Sequence, residues 1–112
     1  MMEYSYNLLG EIFNLIKLGQ KTIELRILKE KSKNIKAGDY INFNNLDTNE
    51  KVKVRVVKST IYDNIDYLLA NNDIEKILPG KSIQDIKDFL GDIYGKNIIN
   101  SKIVAIEFIL IN

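Results

Sequence analysis

The chain contains no cysteine and no histidine, and Pro79 is its one proline. Without cysteine there is no disulfide and no thiol nucleophile, a composition that suits a reducing compartment. Without histidine there is no Ser-His-Asp triad, and the two absences together remove zinc sites built from soft ligands. Catalysis of any kind would have to run on Lys, Asp, Glu, Tyr, Ser or Thr. No apolar run approaches the ~20 residues needed for a membrane-spanning helix. The opening MMEYSYN lacks the basic and then apolar character of a secretory signal. The expectation is a cytoplasmic protein with no membrane association and no metal site or cofactor.

At 112 residues, 46% of them hydrophobic, the chain suits one globular domain spanning 1–112 and is too apolar to be disordered. Its net charge of +1 is unevenly spread. Residues 17–58 hold 11 Lys/Arg against 5 Asp/Glu, whereas residues 59–112 hold 5 against 8. A surface that meets an anion, nucleic acid included, would carry such an asymmetry. Lysines placed on exposed strands for solubility and edge protection would produce it too.

Apolar spacing predicts a helix over 7–18, through Leu8, Leu9, Ile12, Phe13, Leu15 and Ile16, ended by Gly19 in a left-handed conformation. A short strand at 3–6 can precede it. From Lys21 the pattern becomes strand-like. KEKSKNIK (29–36) reads as a polar connection, Asp39 to Asn44 as a strand, and NLDTNE (45–50) as a hairpin loop. KVKVRVVKS (51–59) is the clearest strand, with Val52, Val54 and Val56 inward and Lys51, Lys53 and Arg55 opposite. Helices follow over about 63–71 and from Ser82 to Gly95, the second capped by Ser82 with Asp85 three positions on. The strand over 102–111 is apolar on both faces except at Lys102 and Glu107, so it should be central and covered on both sides. Glu107 should then have a basic or hydrogen-bonding partner. Hairpin-joined strands with segregated helices give an α+β domain: a small, curled, mainly antiparallel β-barrel with about three helices packed around it.

The densest cluster of reactive side chains is GQKTIELR (19–26). Strand periodicity puts Thr22, Glu24 and Arg26 on one face, and Lys21 joins them if the strand begins after it. Two readings stand. The set is a solvated strand face with one weak ion pair, worth ~0–1 kcal/mol. Alternatively it is a site, in which lysine, hydroxyl and carboxylate handle a proton or grip a polar ligand while Arg26 forks onto an acceptor. The Lys51/Lys53/Arg55 stripe carries the same ambiguity between tracking a phosphate backbone and being the wet face of a strand. The tyrosines could stack bases, although Tyr67 and Tyr94 lie near apolar helix faces and packing is expected there. The helix-spaced Asp85, Asp88 and Asp92 read as a solvated face.

The helix followed by GQKTIELR, then AGDYINFN (37–44), DIYG (92–95) and IVAIEF (103–108), resembles the ASCH family in order, over about Leu8 to Leu110. The resemblance implies a barrel similar to the PUA fold and a cleft between barrel and helices. It implies that Lys21, Thr22, Glu24 and Arg26 line that cleft, with Tyr94 flanking it and Gly38-Asp39 as a structural turn. The partner it implies is RNA or a nucleotide-like small molecule, to which Lys53 and Arg55 would add phosphate contacts.

One branch of the family hydrolyses N4-acetylcytidine with a lysine base, a threonine three positions later and a distal glutamate. Lys21 matches the base. Glu24 occupies the threonine position and Pro79 falls near the distal acid, with Glu75 the closest carboxylate upstream. The resemblance therefore favours a module that binds RNA or a modified nucleoside. The alternatives are an amidohydrolase using Lys21, Glu24 and Thr22, and an interaction domain with no small-molecule role. The sequence leaves the oligomeric state open.

Overall fold

The computed structural model describes residues 1–111; Asn112, the last residue of the predicted domain, lies outside them. Five strands form one sheet: β1 (Glu3–Leu8), β2 (Ile23–Ile27), β3 (Tyr40–Asn45), β4 (Lys51–Tyr62) and β5 (Ile103–Ile111). The helices are α1 (Gly10–Lys17), α2 (Glu30–Asn34), α3 (Ile65–Ala70), α4 (Ile74–Ile77) and α5 (Ile83–Tyr94), and a 3₁₀ turn covers Lys96–Asn100. Spatial strand order is β1-β3-β4-β5-β2. Three of the pairings are antiparallel; β1 runs parallel to β3, with Tyr4 opposite Ile41 and Tyr6 opposite Phe43.

The two ends of this sheet turn toward each other. Arg26 on β2 holds its Cζ 4.0 Å from the ring centroid of Tyr6 on β1, and its Nη2 donates to Asn7 O at 3.4 Å. α2 spans the seam: Lys31 Nζ donates to Ser5 O, and Tyr4 Oη donates to Asn34 O at 3.4 Å. The result is a half-barrel whose ladder stays open between β1 and β2 among the described residues. A bulge between Val56 and Lys58 gives the 12-residue β4 the bend that such curling requires. The interior is filled from both sides, with Phe43 and Phe108 meeting inside at 5.5 Å and tilted 55°, while Phe13 and Ile16 of α1 and Leu68 of α3 are fully buried.

The α+β half-barrel agrees with the sequence reading, with instructive differences. Residues 7 and 8 belong to β1 and not to the first helix, because pairing with Asn44 and Asn45 captures them in the ladder. The polar connection 29–36 contains α2, and α4 adds a further turn of helix. β5 is covered on both faces only over its first half; Ile109 and Ile111 are exposed. Glu107 is half-buried and makes no ion pair or side-chain hydrogen bond among the described residues, although Lys58 stands opposite it in register. Tyr67, expected to pack, is 64% exposed. Among the described residues, no helix is long and apolar enough to cross a membrane.

The Gly38-Asp39 turn ties the sheet's first edge together. Gly38 has φ +93°, which glycine adopts without a Cβ clash. The Asp39 side chain, 1% exposed, accepts from the backbone N–H of Met2 and of Lys36, each at 2.9 Å. Burial pushes its pKa up. The two N–H bonds, the Lys36 ammonium and the N-terminal amine outweigh that and hold it below the ordinary 3.8. A carboxylate with a depressed folded pKa contributes stability above its unfolded pKa and loses it as the pH falls through the folded value. Asp39→Asn should therefore cost about 1–3 kcal/mol at neutral pH, by turning an amide N–H against a backbone donor. In urea denaturation, the gap between wild type and Asp39→Asn should close below pH 3.8; a gap that ignores pH would contradict this role.

Candidate functional site

The segment after α1 is fastened on three sides before any side chain is considered. Gly19, at φ +76°, turns the chain back, and the N–H groups of Gln20 and Lys21 both donate to Leu15 O, at 2.9 and 3.1 Å. Thr22 donates its N–H to Lys76 O of α4 at 2.9 Å and accepts at its carbonyl from Phe108 N on β5 at 3.0 Å. With the strand beginning at Ile23, Lys21 is left free to turn inward beside Glu24.

Lys21 is 4% exposed and Glu24 6%. Lys21 Nζ donates to Ile23 O at 2.6 Å and to Ile77 O at 2.7 Å, and lies 3.4 Å from Glu24 Oε1. Two of the three ammonium N–H donors are thus bonded to carbonyls, with the Glu24 carboxylate at ion-pair distance beside them. Burial lowers the Lys21 pKa; Glu24 opposes that shift and the Arg26 charge adds to it. Glu24 Oε2 accepts from Arg26 Nε at 2.9 Å and from Nη2 at 2.7 Å. Burial also works against the Arg26 charge, but Glu24, by charge and hydrogen bond, more than compensates and raises its pKa. The weak surface ion pair considered from the sequence is a buried, continuous Lys21–Glu24–Arg26 chain.

This chain closes one end of a cavity of about 290 Å³ between the half-barrel and α5. The walls are apolar, from Leu8, Ile12, Ile77, Leu78, Phe89 and Leu90 among others. Leu9, Leu46 and Ile93 also line it yet are 47–54% exposed, which places an apolar rim at its mouth. At the polar end, a carboxylate offers about four lone-pair sites, of which Lys21 takes one and Arg26 two, leaving about one acceptor. Arg26 has five N–H donors; Nε and Nη2 supply three toward Glu24 and Asn7 O, and Nη1 makes no hydrogen bond among the described residues. Tyr94 lines the same end. Burial raises its hydroxyl pKa against the pull of Arg26, and burial pushes Tyr6 up to about 12, so both stay protonated at neutral pH. One acceptor beside a pair of donors, at the end of an apolar slot, has the chemistry to complement the polar edge of a flat, otherwise apolar molecule.

Of the residues singled out from the sequence, Lys21, Glu24, Arg26 and Tyr94 come together around this cavity. Thr22, Lys53 and Arg55 do not line it. Thr22 is held by its backbone, while Lys53 and Arg55 lie on β4, where Lys53 pairs with Glu3 and sits 4.9 Å over the Tyr40 ring. Sequence reasoning missed Tyr6, Asn7, Ile77 and Lys31. The alternation of Tyr4 and Tyr6 through MMEYSYN, and an Asp73 cap whose side chain accepts from Glu75 N, were the available signals for β1 and α4.

Removing one partner from a buried ion pair costs about 3–5 kcal/mol, because the other charge is left uncompensated. Glu24→Leu should lose stability on that scale in urea denaturation. Lys21→Met, measured alone and together with Glu24→Leu, completes a cycle in which the double variant should cost about 1–3 kcal/mol less than the sum of the singles. Additive costs would mean that the two groups do not act as one unit.

Comparison with known proteins bears on the fold and the lineage. Hypothetical protein PH0355 has a crystal structure that aligns with a TM-score of 0.82 at 33% identity, covering 99% of this chain and all of that one. Protein PF0455 from Pyrococcus furiosus, solved in solution, gives 0.73 at 33% identity, covering 100% of this chain and 99% of that one. An ASCH domain from Lactobacillus crispatus JV V101 aligns at 0.56 with 13% identity, over 97% of this chain and 79% of that one, a likeness of fold. No protein-family model and no curated protein matches the sequence. The chain belongs to the family that includes PH0355 and PF0455, and its fold is that of an ASCH domain.

Proposed function

We propose that this protein binds RNA or a modified nucleoside or nucleotide-like ligand, with a base in the cavity that ends on Glu24 and Arg26. One observation carries the reading: an apolar slot with an exposed apolar rim closes on a single acceptor set against two guanidinium donors. A nucleobase presents the complement, flat faces for apolar walls and an edge of alternating donors and acceptors. Carboxylates accept from exocyclic amines of the cytosine type, and arginine donates to ring nitrogens and carbonyl oxygens. Unstacked bases are also read against aromatic side chains, a role for Tyr94 and Phe89. A volume of about 290 Å³ sits at the lower edge of the ~300–1,000 Å³ typical of ligand pockets, which favours a base over a larger group.

The amidohydrolase reading draws on the lowered Lys21 pKa, which would leave more of the amine as free base at neutral pH. Geometry weighs the other way. Two backbone carbonyls and the Glu24 carboxylate surround the nitrogen and favour its ammonium form, which has no lone pair with which to act as a base. Binding without turnover is the reading we favour.

Titration with cytidine, guanosine, N4-acetylcytidine and short RNA, followed by amide NMR, tests it. Resonances of residues 24–27 and 89–94 should move for at least one of these. Glu24→Gln, and Ile93→Glu at the exposed rim, should each weaken that binding by about tenfold or more, the loss of a desolvated hydrogen bond or of an apolar contact. N4-acetylcytidine should be recovered intact by chromatography. Unmoved resonances with every probe, or variants that bind as well as wild type, would overturn the reading; released acetate would favour the hydrolase.

A further inference from the structure

A second hollow, of about 170 Å³, lies across Arg26 and Tyr94 from the first and is lined by Tyr6, Arg26, Ile27, Lys29, Lys31, Ser32 and Tyr94. Its character is opposite to that of the cavity. Three of its seven lining residues are cations, and no carboxylate is among them. Two of the cations converge on one ring, with Arg26 Cζ 4.0 Å and Lys31 Nζ 4.1 Å from the Tyr6 centroid. Like charges gathered on one small ring repel each other, and an anion seated between them relieves that repulsion. Lys29 has no ion-pair partner among the described residues, and Lys31 spends its contact on the Ser5 carbonyl, so neither charge is neutralised by the protein. Counting both hollows, Lys21, Arg26, Lys29 and Lys31 stand against the single carboxylate of Glu24. Burial and the nearby Arg26 charge also lower the Lys31 pKa, the response expected of a cation crowded by another.

We propose that this hollow seats a phosphate monoester belonging to the ligand whose base occupies the larger cavity, so that the protein takes a nucleotide, with Lys29 and Lys31 as its phosphate contacts. The proposal rests on the base-binding reading and adds the anionic half of the ligand. Arg26 joins the two halves: it lines both hollows while its Nε and Nη2 are held on Glu24. Tyr94, a hydroxyl donor shared by both hollows, is the second joint. A free nucleoside 5′-monophosphate and the 5′-phosphorylated end of an RNA present the same chemistry.

The test uses the intact chain at low ionic strength, because exposed lysine contacts are screened by salt. Inorganic phosphate alone should shift amide resonances of residues 27–32 and of Tyr6. That response should weaken about tenfold or more in Lys31→Ala and Lys29→Ala and persist in Lys33→Ala, a neighbouring exposed cation outside the hollow. Cytidine or guanosine 5′-monophosphate should bind about tenfold or more tighter than its nucleoside, and Lys31→Ala should erase the difference. A 5′-phosphorylated dinucleotide compared with its 5′-hydroxyl form separates an RNA end from a free nucleotide. Nucleosides that bind with no gain from phosphate would overturn this proposal and leave the base reading standing. Phosphate that seats at residues 27–32 while no nucleoside binds would support the anion hollow and overturn the base reading. Phosphate that moves nothing here, or moves Lys33→Ala and Lys31→Ala alike, would overturn the proposal.

Discussion

An ammonium group shut inside the protein is the constraint on which the candidate site depends. Taking the Lys21 charge out of water is costly, and the fold answers with three acceptors from two elements: the Ile23 carbonyl and Glu24 carboxylate of β2, and the Ile77 carbonyl of α4. Meeting that demand ties β2 to α4 and sets Glu24 between Lys21 and Arg26. Glu24 then anchors Arg26 through two bonds to a single oxygen. The guanidinium that faces both hollows is thus positioned, two links away, by a lysine that never needs to touch a ligand.

That arrangement reassigns the roles which a linear motif suggests. Lysine, the obvious reactive group in GQKTIELR, is the most deeply committed to structure. Glutamate and arginine keep spare acceptor and donor capacity and therefore present the chemistry. Threonine contributes through its backbone, tying α4 and β5 together, and its hydroxyl makes no hydrogen bond among the described residues. The half-barrel seam does the rest. Because β1 and β2 close on each other through side chains and not through a ladder, the gap between them is available to Arg26, Tyr6 and Lys31 as a lined space.

Much of the frame could be read directly from residue patterns. The alternating valines of β4, the Ser82 cap and Gly95 stop of α5, and the left-handed Gly19 are local signals backed by local physics, and each appears where the pattern put it. Residues 7 and 8 went to a strand instead of a helix because a distant strand supplies the pairing, which no window of sequence contains. α2 and α4 are too short for an apolar stripe to declare itself. For the site, strand periodicity brought Glu24 and Arg26 to one face, but not the carbonyl of Ile77, which arrives from more than fifty residues away. Lys31 reads as one more solubilising lysine until the seam brings it over Tyr6. The Lys51, Lys53 and Arg55 stripe looks equally basic in sequence, yet it lies on a wall away from both hollows.

The candidate site depends on Lys21 being a charged group locked by hydrogen bonds and not a free amine. Nitrogen-15 NMR of the lysine side chains reports this directly. At neutral pH, Lys21 should give an ammonium signal whose hydrogens exchange slowly with water and show scalar coupling to the carbonyl carbons of Ile23 and Ile77, while exposed lysines exchange too fast to be seen. A Lys21 nitrogen that exchanges as freely as the surface lysines, or that is already neutral at that pH, would contradict the account.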